Sequence, residues 1–187
     1  MQFRESLIKH FNFSESDWEE TISRFRVESM PPKTVFLEKG KVADRIALIQ
    51  SGLMRSFFYN DNADDITTHF FREGNVVISM KSFNLQVPSE EYIVAMEQCD
   101  LLVATYDDMN ALAERIPAWK KIISTVDQQK FNQQMKRSIQ LQTLTAAERY
   151  QLFMEKHPDI LRRVALKHVA SYLGIDIATL SRIRRNL

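Results

Sequence analysis

The sequence predicts an α+β fold in which a β-rich first part is followed by a helical second part. Three observations support this prediction. Short β-rich runs separated by turn residues fill the region from about residue 33 to residue 106. A helical period begins beyond Pro117 and continues over several turns. Close to the end of the chain, small and apolar residues have the spacing of two helices joined by a turn.

The composition is that of a globular protein and excludes several kinds of site. The chain has 187 residues, 44% of them hydrophobic, which is enough for one ordinary core and a small second one. Cys99 is the only cysteine, so an intrachain disulfide and a cysteine-built zinc or iron–sulfur site are excluded. The N-terminus lacks the continuous apolar stretch of a signal peptide or membrane span. We therefore expect a soluble cytoplasmic protein without cofactor or metal.

The net charge of +1 hides a strong asymmetry between the two parts of the chain. Residues 1–115 contain 12 Lys and Arg against 19 Asp and Glu, a net charge of −7, whereas residues 116–187 contain 13 against 5, a net charge of +8. A basic half is the electrostatic footprint expected of phosphate binding. A generic solvated basic surface would give the same count, so the charge alone does not distinguish it from a phosphate-binding surface.

The first predicted elements are a capped helix and a series of strands. Ser14 precedes Asp17 by three residues and indicates a capping box. The helix that follows runs through Trp18 and Phe25, and the Pro31-Pro32 pair ends it. Many short strands in series are typical of a barrel or jelly roll. The strands are predicted at 34–37, 46–50, 53–59, 66–71, 76–78, 92–96 and 101–106.

A short helical segment around residues 109–115 and a long helix beyond Pro117 follow the strands. Apolar residues recur along the long helix at steps of three and four, with a phase shift past Lys130. This stripe either packs on the β-rich part of its own chain or forms a two-helix seam between subunits. We favour the seam because glutamines keep the other faces of the helix polar. The predicted seam residues are Trp119, Ile123, Val126 and Phe131.

The last part of the sequence predicts a helix-turn-helix. Thr145, three residues before Glu148, opens a helix that runs to about His157. Ala170 is small enough to let the next two helices cross closely, and Gly174 can adopt the left-handed conformation of the turn. The apolar residues predicted to fuse these two helices into a small core are Val169, Leu173, Ile175, Leu180 and Ile183.

The outward face of the last helix has the residues expected of a helix in a DNA major groove. Arg182 is the best base-reading candidate because its planar guanidinium can bond O6 and N7 of one guanine. Two ordinary amphipathic helices with a basic tail remain the alternative. The full set predicted to bind DNA, with Asp176 also capping the helix, is Lys167, Asp176, Ala178, Thr179, Ser181, Arg182, Arg184 and Arg185.

With these motifs the chain resembles the Crp/Fnr family of transcriptional regulators over nearly its whole length. Residues 170–175 (Ala-Ser-Tyr-Leu-Gly-Ile) and 179–184 (Thr-Leu-Ser-Arg-Ile-Arg) are similar to the family's helix-turn-helix, and Arg182 falls at its base-reading arginine. Gly40 and Gly52 resemble the paired turn glycines of its β-roll.

The resemblance implies three parts in the family's order. These are an N-terminal double-stranded β-helix, that is a jelly-roll-like sensor β-roll (1–115), a dimerisation helix (116–141) and a winged helix-turn-helix domain (142–187). It also implies a homodimer that regulates transcription by binding a two-fold symmetric site in double-stranded DNA, with RNA polymerase as a further partner. No catalysis is implied.

The effector region departs from the nucleotide-binding members of the family. Those members have an arginine in a stretch where this chain has Ser89, followed by two carboxylates. A cyclic phosphate needs a cation or a nest of N–H groups, so we expect no binding of cyclic AMP. The region either holds an unknown small-molecule effector or is filled by its own side chains and senses nothing. Its candidate residues are Arg72, Gly74, Ser89, Glu90 and Glu91.

A cupin-like metal-dependent enzyme, or a β-barrel that binds a small molecule without binding DNA, is the rival prediction because jelly rolls also host such sites. The four histidines argue against it. They are dispersed at His10, His69, His157 and His168, and only His69 lies in the β-rich region. No pair has the spacing of metal ligands.

Overall fold

A computed structural model describes residues 2–186 of the chain. The fold is α+β, as predicted. Its helices are α1 (Gln2–Phe11), α2 (Glu15–Ser23), α3 (Met80–Leu85), α4 (Tyr106–Arg115), α5 (Pro117–Thr143), α6 (Ala146–Lys156), α7 (Ile160–Arg163), α8 (Leu166–Leu173) and α9 (Ile177–Arg185). Its strands are β1 (Arg26–Met30), β2 (Val35–Leu37), β3 (Arg45–Ser51), β4 (Met54–Tyr59), β5 (Asp65–Phe71), β6 (Val76–Val77), β7 (Tyr92–Ala95) and β8 (Cys99–Thr105).

The strands form two antiparallel four-stranded sheets with the orders β1-β8-β3-β6 and β2-β7-β4-β5. Side chains from both sheets meet in one core, for example Ile49 and Leu101 from the first sheet and Phe71 and Ile93 from the second. This two-layered β-roll is the arrangement that the series of short strands predicts. The β5 strand lies at an edge of the second sheet and is therefore open to further contacts.

The N-terminal helix differs from the prediction at its end. Ser14 and Asp17 form the predicted capping box of α2. The helix ends at Ser23, however, and the prediction that it continues towards the proline pair is wrong. Residues Arg26–Met30 form strand β1 instead, because they pair with β8 and bury Met30 in the core. Tertiary pairing here overrides the local helical period.

The long helix α5 has two differently packed halves. In the first half, Trp119 is 4% exposed, its Nε1 donates to Thr21 Oγ1 at 3.1 Å, and its ring meets Phe13 edge-on. Val126 packs against the same core. In the second half, Phe131, Met135 and Ile139 are 59%, 49% and 54% exposed. The first half of α5 therefore packs on its own chain, the alternative to the favoured seam. Trp119, predicted for the seam, lies inside this core rather than on a free face.

The regular structure after strand β8 is entirely helical within residues 106–186. The wing implied by the family resemblance, a β-hairpin, is therefore not formed by the described residues. The short helix α7 links α6 to α8, and α9 ends at Arg185. None of the helices described here is both long enough and apolar enough to cross a membrane.

Candidate nucleic-acid interface

A left-handed turn joins α8 to α9, as the sequence predicts. Gly174 has φ +65°, and its N–H bonds the carbonyls of the last turn of α8. The N–H of Ile175 donates to the Ala170 carbonyl at 3.1 Å, which closes the end of the helix in the manner of a Schellman motif. Ala170 is 2% exposed. The sharp turn and the small residue together let the two helices cross.

The five apolar residues predicted to join α8 and α9 belong to one cluster. Val169, Leu173 and Leu180 are buried, and Ile175 and Ile183 pack against them. Helix α6 closes this cluster with Tyr150 and Phe153. The second core therefore fixes α9 with its opposite face outwards.

The outward face of α9 is held in place by hydrogen bonds. Asp176 caps the helix, because its Oδ1 accepts from the Thr179 N–H at 2.8 Å and its Oδ2 from the Thr179 hydroxyl at 2.6 Å. The same hydroxyl accepts from Arg182 Nη2 at 3.1 Å. Both carboxylate oxygens of Asp176 are thus engaged in the cap, and the exposed Arg182 guanidinium is tethered at one end.

The other predicted DNA-binding residues surround this face. Ala178, Arg184 and Arg185 are exposed, whereas Thr179 and Ser181 are half-exposed. Lys167 is exposed near the start of α8. Three arginines in the last turns of α9 meet the negative end of the helix dipole, which favours them there.

Helix α8 docks on the open edge of strand β5, a contact that the sequence did not reveal. The Ser171 hydroxyl accepts from the Thr67 N–H and donates to the Asp65 carbonyl, both at 2.8 Å. Ser171 thereby pairs two backbone groups at an edge that no strand covers. Leu53 and Phe70 of the β-roll also enter the second core. A serine in a helix gives no sequence signal of a partner about a hundred residues away.

Arg137 of α5 connects three parts of the molecule. Its guanidinium donates to the carbonyls of Thr67 and Thr68 in β5 and of Tyr172 in α8, at 3.1, 2.9 and 2.9 Å. It also stacks over the Tyr172 ring at 4.5 Å. Burial lowers the pKa of Arg137. Its partners are backbone carbonyls, so no sequence pattern marks this residue.

Ion pairs hold the α7 segment against the turns of the β-roll. Arg163 donates to Glu73 at 2.7 and 3.0 Å and also contacts Glu97. The Arg163 bonds lower the pKa of Glu73 to about 2. Arg72 Nη1 donates to Asp159 at 2.9 Å. Arg72 therefore joins the β-roll to the helical part of the chain.

The five residues predicted for the effector region are not brought together in one site. Ser89 is 3% exposed, and its hydroxyl donates to the Glu91 carbonyl at 2.9 Å. Glu90 pairs on the surface with Lys81. Arg72 is bonded to Asp159, and Gly74 lies beside it in the turn after β5.

Glu91 belongs to a polar chain beneath α5. Its carboxylate accepts from the Thr68 hydroxyl at 3.1 Å, and that hydroxyl contacts Ser56 at 2.6 Å. Lys130 of α5 lies 4.8 Å from the Phe71 ring centre, and burial lowers its pKa to about 8. The space between α5 and the roll thus already contains a cation of the chain itself.

His168 lies at the junction of α8 and the β-roll and is 7% exposed. Its Nδ1 is 3.6 Å from an Asp65 oxygen. Burial and the neighbouring Arg55 and Lys167 lower the pKa of His168 to about 4, although Asp65 opposes them. The imidazole is therefore neutral at pH 7 in the folded chain.

We expect acid to weaken the fold through His168. In the unfolded chain a histidine pKa is about 6.5, so between that pH and about 4 the unfolded state binds a proton that the folded state does not. Stability then falls as pH falls, by up to about 1.4 kcal/mol per pH unit. From pH 7.5 downwards, the melting temperature should fall less steeply with decreasing pH in His168→Gln than in the parent chain. The exposed His10→Gln is the control. An unchanged slope in His168→Gln would contradict the assignment.

Comparisons with known proteins agree with this architecture. Residues 27–116 match the family model of the cyclic nucleotide-binding domain. No curated protein has a matching sequence.

Among solved structures, the global regulator CLP of Xanthomonas campestris is similar with a TM-score of 0.75 and 15% identity, over 92% of this chain and 91% of that one. FixK2 of Bradyrhizobium japonicum has a TM-score of 0.75 and 15% identity, over 87% and 84%. A protein assigned to the Crp/Fnr regulators from Eubacterium rectale has a TM-score of 0.74 and 13% identity, over 94% and 83%. Residues 27–116 are therefore similar to the cyclic nucleotide-binding domain, and the chain shares its fold with these solved structures over most of its length.

Proposed function

We propose that this protein is a sequence-specific, DNA-binding transcriptional regulator that acts as a homodimer in the cytoplasm and has no enzymatic activity. The observation that carries the proposal is the exposed face of α9. It presents Arg182, Arg184 and Arg185 to solvent while a buried core fixes the opposite face. The net charge of +8 over residues 116–187 supports an anionic partner.

The exposed apolar stripe on the second half of α5 supports the dimer. Phe131, Met135 and Ile139 follow one another at steps of four and lie on one helix face. Two such stripes would pack into a two-helix seam. The predicted seam residue Ile123 is half-exposed and would extend it, whereas Trp119 and Val126 already pack on their own core.

The proposed mechanism follows from the fixed attachment of α8 to β5 and α5. Ser171 and Arg137 attach α8 to β5 and α5, so the recognition helix keeps a defined position relative to the seam. Two recognition helices must enter successive major grooves, roughly 34–36 Å apart. A change at the seam would alter that spacing and so control promoter binding, with RNA polymerase as the partner that reads the result.

We further propose that the β-roll does not bind cyclic AMP. Arg72, the remaining arginine near the effector region, is bonded to Asp159, and Ser89 and Glu91 offer no cation. The rival metal-dependent enzyme is not favoured, because the described residues contain no group of three His, Cys, Asp or Glu side chains suited to a metal ion.

Selection of bound sequences from random duplex DNA tests the proposed function. We expect enrichment of a two-fold symmetric site with half-sites one helical turn apart. Recovery of no preferred sequence, at low as well as moderate salt, would contradict sequence-specific binding. The salt concentration matters to this test, because phosphate contacts alone give strong binding at low ionic strength.

Arg182→Ala should lose about 1–3 kcal/mol of binding per half-site and relax the preference at one base pair, as expected for a lost bidentate guanine contact. Arg185→Ala is the matched comparison. If Arg185 contacts phosphate, its loss weakens all sequences alike and lowers the salt dependence by about one unit per subunit. Binding titrations on the selected site and on single-base variants measure both effects. The same loss of specificity in the two variants would show that these roles are wrongly assigned.

A further inference from the structure

Ile177 is a large apolar residue at the start of α9, and it is 51% exposed. It is the first residue of the helix, directly after the capping residue Asp176. Within the described part of the chain, it belongs to neither of the two hydrophobic cores. The apolar pair that often fixes a helix start, one residue before the cap and one in the first turn, is available in Ile175 and Leu180, which both contribute to the second core. The core that fixes α9 is therefore complete without the Ile177 side chain.

The exposed face of α9 is divided into an apolar end and a basic end. Its first two residues, Ile177 and Ala178, are exposed and have no polar side-chain atom, whereas its arginines lie in the last turns. Hydrogen bonds from Thr179 hold the pKa of Asp176 below its usual value, so this carboxylate is charged at pH 7. A phosphate at the apolar end would be repelled by Asp176 and would find no cation on the first two residues. The start of α9 is therefore suited to base edges rather than to the DNA backbone.

Among the base edges of the major groove, thymine alone presents an apolar group, its 5-methyl. The residues at the N-terminal end of a recognition helix are those that contact base edges. An isoleucine set against another base would cover hydrogen-bonding atoms without pairing them, and this costs binding free energy. Contact with the thymine methyl instead removes apolar surface of both partners from water. An exposed isoleucine at this end of the helix therefore matches thymine better than the other three bases.

We infer that Ile177 selects a thymine in each half-site by packing against its 5-methyl group. The inference rests on the proposed function and adds a base that Arg182, the proposed reader of guanine, does not specify. The two residues are five positions apart, which is about 7.5 Å along the helix axis. This distance equals roughly two base-pair steps of about 3.4 Å. The thymine and the guanine are therefore different base pairs of one half-site.

Uracil in place of thymine tests the inference, because this exchange removes only the methyl group. Duplexes of the site selected from random DNA are made with uracil at one thymine position of both half-sites at a time, and each is titrated with the full chain. At one position, the affinity of the parent chain should fall about fourfold per half-site, the effect of one buried methyl group. Ile177→Ala should lose this discrimination at the same position and keep the preference for the guanine.

Leu85→Ala is the matched control, because Leu85 is an apolar residue of α3 that is 66% exposed and lies outside the helical second part of the chain. It should discriminate thymine from uracil as the parent chain does. A selected half-site without thymine, equal affinity for thymine and uracil at every position, or discrimination that persists in Ile177→Ala would overturn the inference and leave sequence-specific binding intact. Failure to enrich any site would overturn the proposed function, and the inference with it.

Discussion

Met135→Asp should convert the proposed dimer into a monomer. Met135 is 49% exposed and lies between Phe131 and Ile139 on the apolar stripe of α5. In a two-helix seam, each chain would bury one carboxylate without a partner, and this costs several kcal/mol. We expect the dimer dissociation constant to rise at least about 100-fold. Size-exclusion chromatography with light scattering at micromolar protein measures it.

Gln134→Asp is the control for Met135→Asp. Gln134 is the neighbouring residue and is exposed on another face of the helix, so the variant adds the same charge outside the seam. It should remain dimeric. DNA affinity for a two-fold symmetric site should fall in parallel with dimerisation, because the linked second half-site is lost. A parent chain that is monomeric, or a Met135→Asp variant that is still a dimer, would contradict the seam.

The packing of α5 shows what the helical period can and cannot predict. The recurring apolar residues predict the length of α5 well. They do not distinguish a face that packs on its own chain from one that is free, because both need apolar side chains. Trp119 and Val126 therefore looked equivalent to Phe131 in the sequence, and only the packing of the first half of α5 on the core of its own chain separates them.

The two helices α8 and α9 and the turn between them were predictable in detail for a physical reason. Its core, turn and cap are all local in sequence, from Ala170 through Gly174 to Asp176 and Leu180. Strand β1 and the docking of α8 on β5 depend on partners 69 to 104 residues away, as in the pairs Met30–Cys99 and Thr67–Ser171. Single-sequence patterns hold no information about such partners. Arg137 escaped notice for the same reason.

The two turn glycines look equivalent in the sequence, but their surroundings in the structure differ. Gly40 and Gly52 both have positive φ, +86° and +104°. A side chain at Gly40 would meet no atom within 4 Å. A Cβ at Gly52 would lie 2.6 Å from Cys99 Sγ and from the Gln98 carbonyl oxygen. It would also lie 2.8 Å from Cys99 Cα, so rotation of the Cys99 side chain alone would not relieve the contact.

Gly52→Ala should therefore destabilise the fold far more than Gly40→Ala. Both variants suffer the strain of a left-handed alanine, about 1–2 kcal/mol. Gly52→Ala adds an overpacking cost of about 1–3 kcal/mol. It also displaces the Gly52 N–H, which donates to Glu73 Oε1 at 2.9 Å. We expect a loss of about 3–5 kcal/mol in the free energy of unfolding for Gly52→Ala and about 1–2 kcal/mol for Gly40→Ala.

Urea unfolding followed by circular dichroism measures both glycine variants under the same conditions. The difference between them reports on the close contacts at Gly52, because a positive φ, and hence backbone strain, is present at both positions. Glu73 also pairs with Arg163, so the damage at Gly52 should spread to the contact between the β-roll and α7. Near-equal losses in the two variants would mean that the β7–β8 turn at Gln98 and Cys99 moves aside, and that the close approach at Gly52 is not a constraint on the fold.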